Sequence, residues 1–147
     1  MKKTLFFVIG AAFTASLFLW GGCKLNGPSG PNFTEYPIQV DSIQYPDTIP
    51  LGQQLPIKFY GKVGPSTCYS FSRFAGGVNY HDVNIAVYGK YESGNPNCVD
   101  STQYLNGKEL SVNLMTEGTF IIHIYQPNPP DLYDTVYVVP AAGKPAR

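Results

Sequence analysis

Few side chains in this sequence are equipped for chemistry. Two histidines (His81 and His123), three cysteines (Cys23, Cys68 and Cys98) and the aspartates Asp131 and Asp134 are the groups from which a catalytic or metal site would be assembled. His81 stands at the start of an alternating segment and His123 in the polar phase of another. Asp82 beside His81 does not make a dyad, because successive residues of a strand point to opposite faces. No Gly-x-Ser-x-Gly elbow, His-Glu-x-x-His helix or phosphate-cradling glycine loop occurs. Asp131 and Asp134 flank Leu132-Tyr133 in a Pro-rich stretch, without the further oxygen ligands that a calcium loop supplies. The expectation is a non-enzyme with no cofactor and no metal.

Binding is the chemistry that survives. Tyr60, Tyr88 and Tyr125 all fall in the polar phase of alternating segments, opposite the apolar residues. If their strands lie in one sheet, the rings form an exposed strip suited to stacking on sugars or anchoring a protein, since Tyr joins a large apolar face to a polar tip. The plainer reading is that Tyr favours strands and pairs across them. The stiff loops Ser93–Asn97 and Gln126–Asp131 offer a weaker third possibility, an inhibitor presenting a loop to a hydrolase.

The elements that must position these residues are short strands. Charged residues are few, aromatic residues plentiful, and Gly and Pro frequent, a mixture that suits strands joined by turns. Ile38–Tyr45 is the first strand signal, ended by Pro46-Asp47. Leu55, Ile57, Phe59 and Gly61 alternate with Gln54, Lys58, Tyr60 and Lys62 as a half-buried second. Cys68–Phe74 is a third, broken by a turn at Gly76-Gly77. Val83, Ile85 and Val87 define a fourth, and a polar loop (93–97) follows it. After the Asn106-Gly107 turn, Leu110, Val112 and Leu114 face inward on a fifth. Phe120, Ile122 and Ile124 do so on a sixth, and Thr135–Val139 is the seventh. No helical period competes with this pattern.

About seven short strands with turns at intervals of roughly ten residues resemble an antiparallel immunoglobulin-like β-sandwich, over residues 36–140. Met115–Phe120 resembles the corner before strand F of such domains, with Phe120 where a Tyr is common. The fold class expected is therefore all-β, a single Ig-like sandwich.

The N-terminal segment carries a second resemblance. Met1-Lys2-Lys3 is a charged start, Leu5 to Trp20 an apolar run, and Gly21-Gly22 a small pair directly before Cys23. This is the layout of a secretory signal, and the run is short for a membrane span of about 20 residues. Leu19-Trp20-Gly21-Gly22-Cys23 resembles the bacterial lipobox, with Trp20 in the −3 place usually held by Leu. The resemblance implies cleavage after Gly22 and a diacylglyceryl thioether on the Cys23 sulfur, often with a further acyl chain such as palmitate on the new amine. Two or more chains give stable anchoring, at about 0.8 kcal/mol per buried methylene. Residues 1–22 are then the signal, 23–35 a Gly/Pro/Asn tether and 141–147 a loose tail. Lys24, not Asp, follows the cysteine. In a cell with two membranes this implies the outer one.

With Cys23 assigned to lipid, Cys68 and Cys98 remain as a pair in an oxidising envelope, where a disulfide is expected. The alternative is two free thiols; neither has a second Cys or His at ligand spacing. Acidic and basic residues balance at ten each, and losing Lys2 and Lys3 leaves a slightly acidic chain. The remaining Lys and Arg are scattered, so no basic stripe marks a nucleic-acid partner. The expected role is a lipid-anchored, non-catalytic structural or protein-interaction module of the cell envelope. The alternative is a carbohydrate-binding or adhesion lipoprotein using Tyr60, Tyr88 and Tyr125 against a polysaccharide.

Overall fold

The computed structural model describes residues 32–141, and in that range the chain is all-β. The expected signal (1–22), Cys23, residues 24–31 of the expected tether and residues 142–147 of the expected tail lie outside the described residues. Among the described residues no helix is long and apolar enough to cross a membrane.

Eleven strands are present where about seven were expected: β1 (Asn32–Pro37), β2 (Ser42–Gln44), β3 (Thr48–Pro50), β4 (Gln54–Tyr60), β5 (Lys62–Gly64), β6 (Tyr69–Asn79), β7 (Asp82–Ser93), β8 (Gln103–Tyr104), β9 (Lys108–Asn113), β10 (Gly118–Tyr125) and β11 (Leu132–Val139). The excess comes from short strands that carry no periodic signal of their own. The larger sheet is organised on β7. On one edge β6 pairs with it along nearly its whole length; on the other, β10 takes Asp82–Ala86 and β1 takes Tyr88–Ser93. β11 pairs with β10, and β3 with β11. A second sheet runs β2-β4-β9, and β5 pairs with β8.

Four expectations change here. The strand expected at Ile38–Tyr45 is reduced to β2, and residues 38–41 connect it to β1. Residues 32–35, read as tether, are strand, because the distal half of β7 supplies a hydrogen-bonding edge that no local pattern reveals. The ladders are not all antiparallel: β7/β10 and β3/β11 are parallel. And Gly76-Gly77 is not a turn. β6 runs through both glycines, and the chain reverses at Tyr80-His81, where Tyr80 takes the left-handed φ of 58°.

Alternation decides which faces are buried. Leu55, Ile57 and Phe59 on β4, Val83, Ile85 and Val87 on β7, Phe120, Ile122 and Ile124 on β10, and Val136 and Val138 on β11 are all buried in one apolar cluster. Each such side chain contributes about 1.5–3 kcal/mol by leaving water. Phe59 of the smaller sheet packs against Phe74 of the larger at 4.9 Å between ring centroids, so the two sheets share this core. Pro56 sits inside β4 without cost to the ladder. Tyr60 O accepts from Asp41 N, so the backbone groups of the even-numbered residues of β4 face β2, and β2 ends at the partner of Lys58. The position of Pro56 thus needs no N–H.

The expected disulfide is present. Cys68, just before β6, joins Cys98, beyond β7, with Cα atoms 5.3 Å apart and a sequence separation of 30. It clamps the open end of the β6/β7 hairpin. In the chain-entropy treatment, closing such a loop stabilises the fold by about 3.5 kcal/mol. The Cys68→Ala/Cys98→Ala chain is therefore expected to unfold in urea with a stability lower by about that amount. A loss under about 1 kcal/mol would contradict the clamp.

Gly76 and Gly77 make a sharper test of the strand. Gly76 has φ +133°, and a Cβ there would drive into the carbonyl oxygen of Asn84; a Cβ at Gly77 would meet nothing within 4 Å. Gly76→Ala should cost more than about 2 kcal/mol and Gly77→Ala less than about 1, both read from urea denaturation midpoints. Equal effects would mean that the segment is a loop.

Candidate functional site

The outward residues of β7, β10 and β11 collect the polar and aromatic side chains of the larger sheet. Register places His123 opposite Asn84 on β7 and Tyr133 on β11, and Tyr125 opposite Ala86. The His123 ring lies parallel to Tyr133, with centroids 4.3 Å apart and planes at 12°, and contacts Tyr125 at 4.1 Å. Three rings thus form one continuous surface. Tyr133 and Tyr125 are 66% and 48% exposed, so the surface faces solvent.

Hydrogen bonds fix His123 at the centre. Its Nε2 is 2.8 Å from Asp131 Oδ2, and its Nδ1 is 3.2 Å from Asn84 Oδ1. A carboxylate only accepts, so Nε2 donates to Asp131. Asn84 Oδ1 also only accepts, so the Nδ1 contact is a hydrogen bond only in the ring form that carries a proton on both nitrogens. Tyr125 Oη donates to the same Asn84 oxygen at 3.3 Å. Asp131 also closes the loop beside it, because its Oδ1 accepts from the Gln126 backbone N–H at 2.8 Å and so ties both ends of residues 126–131. The Gln126 side chain then reaches across to the Val40 backbone, accepting from N at 2.9 Å and donating to O at 3.0 Å. A chain of contacts therefore runs from β11 through His123, Asp131 and Gln126 to the segment between β1 and β2.

This arrangement bears on each candidate from the sequence. His123 Nε2 faces Asp131, while its Nδ1 stands 3.2 Å from Asn84 Oδ1, the oxygen to which Tyr125 donates. His81 directs Nδ1 to the Thr119 carbonyl at 3.0 Å and packs its ring on the buried Phe120 at 4.7 Å, a structural position. Asp131 serves His123 and Gln126, while Asp134 accepts from Thr135 N at 2.8 Å. Among the described residues no group of three or more His, Cys, Asp or Glu is placed to hold a metal. Cys23 lies outside the described residues.

The three tyrosines are divided. Tyr88 and Tyr125 occupy the outer face of the larger sheet as diagonal neighbours across β7 and β10, since Tyr125 pairs with Ala86. Tyr60 is on β4, in the other sheet, and donates to Gln44 at 3.2 Å. The single strip of Tyr60, Tyr88 and Tyr125 does not form, because β4 pairs with β2 and β9. In its place the strip runs Tyr133, His123, Tyr125, Tyr88. Beyond Tyr88 it continues into Arg73, whose guanidinium sits 4.5 Å from the Tyr88 ring centre and pairs with Glu35 at 3.1 Å. Ser72 and then Arg73, both hydrogen-bonded to Glu35, hold that carboxyl below the usual range. Sequence reading weighed Asp131 only as a cation ligand and missed Asn84 and Tyr133, whose one usable signal is that they share the outward phase of His123.

Other perturbed groups are structural. Tyr36 points inward and donates to Val63 O at 2.7 Å, and burial pushes its phenol up to about 12. Burial, then the Asp134 carboxylate, raises Tyr45, which donates to Thr135 O at 3.1 Å. No protein-family model, curated protein or solved structure matches the chain.

Asp131 is held below its ordinary value of 3.8, first by the Gln126 N–H and then by His123. A depressed carboxyl stabilises the fold above its ordinary pKa, and that contribution is lost as the pH falls through the lowered value. Asp131→Asn should accordingly melt at a lower temperature than the parent at neutral pH, and the two curves should converge in acid. A constant difference at all pH values would show that the charge of Asp131 plays no part.

Proposed function

We propose that this chain is a lipid-anchored, non-catalytic module of the bacterial envelope, an Ig-like β-sandwich that binds a protein partner through the outer face of its larger sheet. The observation that carries the binding reading is the contiguous, solvent-facing row of Tyr133, His123 and Tyr125, with Tyr88 and Arg73 beside it. Tyr and Arg are the residue types enriched at the centres of protein interfaces, and here they stand on paired strands, with Tyr125 bonded to Asn84 and Arg73 to Glu35. Two sheets sharing one core support the sandwich. The non-catalytic reading rests on the sequence, which carries none of the nucleophile, metal-helix or phosphate-loop motifs sought in it.

Anchoring rests on the lipobox-like run before Cys23. The acyl chains hold the body at a membrane surface, and a module confined there meets its partner at raised effective concentration. A polysaccharide is the second reading, favoured by the exposed, nearly flat stack of Tyr133 on His123, the kind of surface on which a sugar ring lies.

The test has two parts. Intact mass of the membrane-extracted protein should begin at Cys23 with added acyl chains; an unlipidated mass starting elsewhere removes the anchor. A photo-crosslinking residue at Tyr125 or Tyr133 in cells should give a discrete adduct with one envelope protein, whereas one at Tyr60 should not. Adducts equal at all three positions would defeat the face assignment. Retention on polysaccharide that Tyr125→Ala/Tyr133→Ala abolishes would favour the second reading.

A further inference from the structure

The two sheets share one core, but no ladder joins them. β6 pairs only with β7, and β9 only with β4, so each presents a bare edge among the described residues. Between these edges lies a recess of about 250 Å³ whose walls include Phe74, Val78, Val83, Ile85, Leu110 and Val112. Val78 shares the inner face with buried Val83, its ladder partner, yet is 42% exposed because no strand covers it.

Ladder geometry shows what each edge offers. Val87 O accepts from Ile38 N and so faces away from β6. Val83 and Ile85 share that phase, and their partners Val78 and Gly76 therefore turn N–H and C=O towards the opening. On the other side, the backbone of Pro56 faces away from β9. Its partner Ser111 is in a non-hydrogen-bonded pair, and directs its own N–H and C=O outward. Gly76 and Gly77 leave β6 without side chains there, which is where strands admit close approach of another backbone.

We propose that this seam takes an extended segment of a partner protein with alternating apolar residues, added as a strand between β6 and β9. Its apolar side chains fill the recess, and its backbone pairs with the bare edges. With residues 1–22 removed as proposed above, the flanking parts of this chain are unsuited to the place. Residues 24–31 hold one Leu among two Pro and two Gly, and residues 142–147 hold no bulky apolar residue. The recess is also smaller than the roughly 300–1,000 Å³ typical of small-molecule sites.

The probe is a short acetylated peptide of alternating Val and Thr, titrated into the full chain in detergent, with hydrogen exchange as a second readout. Saturable binding should protect amides at 76–78 and 109–113. Ser111→Ala keeps the backbone donor and should bind as wild type; Ser111→Pro removes it and should weaken binding by about tenfold or more. Val78→Lys, at an already exposed position, should weaken it similarly if the proline variant misfolds, and Tyr125→Ala/Tyr133→Ala should leave it unchanged. Absence of saturable binding, or equal binding by Ser111→Ala, Ser111→Pro and Val78→Lys, overturns the proposal. So does concentration-dependent self-association that protects the same amides without peptide, which would make the occupant a second copy.

Discussion

Strand β7 is the constraint on which the rest depends. Its twelve residues satisfy backbone hydrogen bonds on both edges, with β6 on one and β10 followed by β1 on the other. β10 and β1 divide the edge because β10 runs parallel to the first half and β1 antiparallel to the second. To place β10 parallel, the chain must leave the larger sheet after Ser93, build β8 and β9, and return; that excursion creates the smaller sheet's outer strand. The disulfide clamps the hairpin at the point of departure.

From the same strand follow the two surfaces of interest. The inward phase of β7 supplies Val83, Ile85 and Val87 to the core, and its outward phase supplies Asn84 and Tyr88 to the aromatic row. Asn84 orients His123 because the parallel register sets them side by side. The His123 ring ties β10 to the 126–131 loop through Asp131 and lies against Asn84 of β7. Its contacts with Asp131 and Asn84 hold the ring in place between Tyr133 and Tyr125. The opposite edge of the hairpin, carried by β6, is left bare, so one hairpin borders both the aromatic face and the open seam.

Much of the fold could be read directly. The period-two runs at Leu55–Phe59, Val83–Val87 and Phe120–Ile124 correctly identified buried faces, because alternation is a local consequence of strand geometry. Less of the site could be read. His123 and Tyr125 were visible as outward residues, but their association with Asn84, Asp131 and Tyr133 depends on which strands are neighbours. Tyr60 shows the same limit: its phase was right, and its sheet was not deducible. Gly76-Gly77 misled because paired glycines usually mark a turn; here the first accommodates the Asn84 carbonyl and the second an open edge.

The sequence by itself determined that the described chain is made of strands, which side of each is apolar, and that Cys68 and Cys98 were available to pair. These follow from residue type and spacing, which act within a few residues. Tertiary structure alone decided that β7 meets β10 in parallel, that β1 extends back to Asn32, that Tyr60 is separated from Tyr88 and Tyr125, and that β6 and β9 face each other unpaired. Each of these depends on hydrogen bonds between backbone groups far apart in the chain. Backbone groups are the same in every residue but proline, so side-chain pattern does not specify which edge meets which.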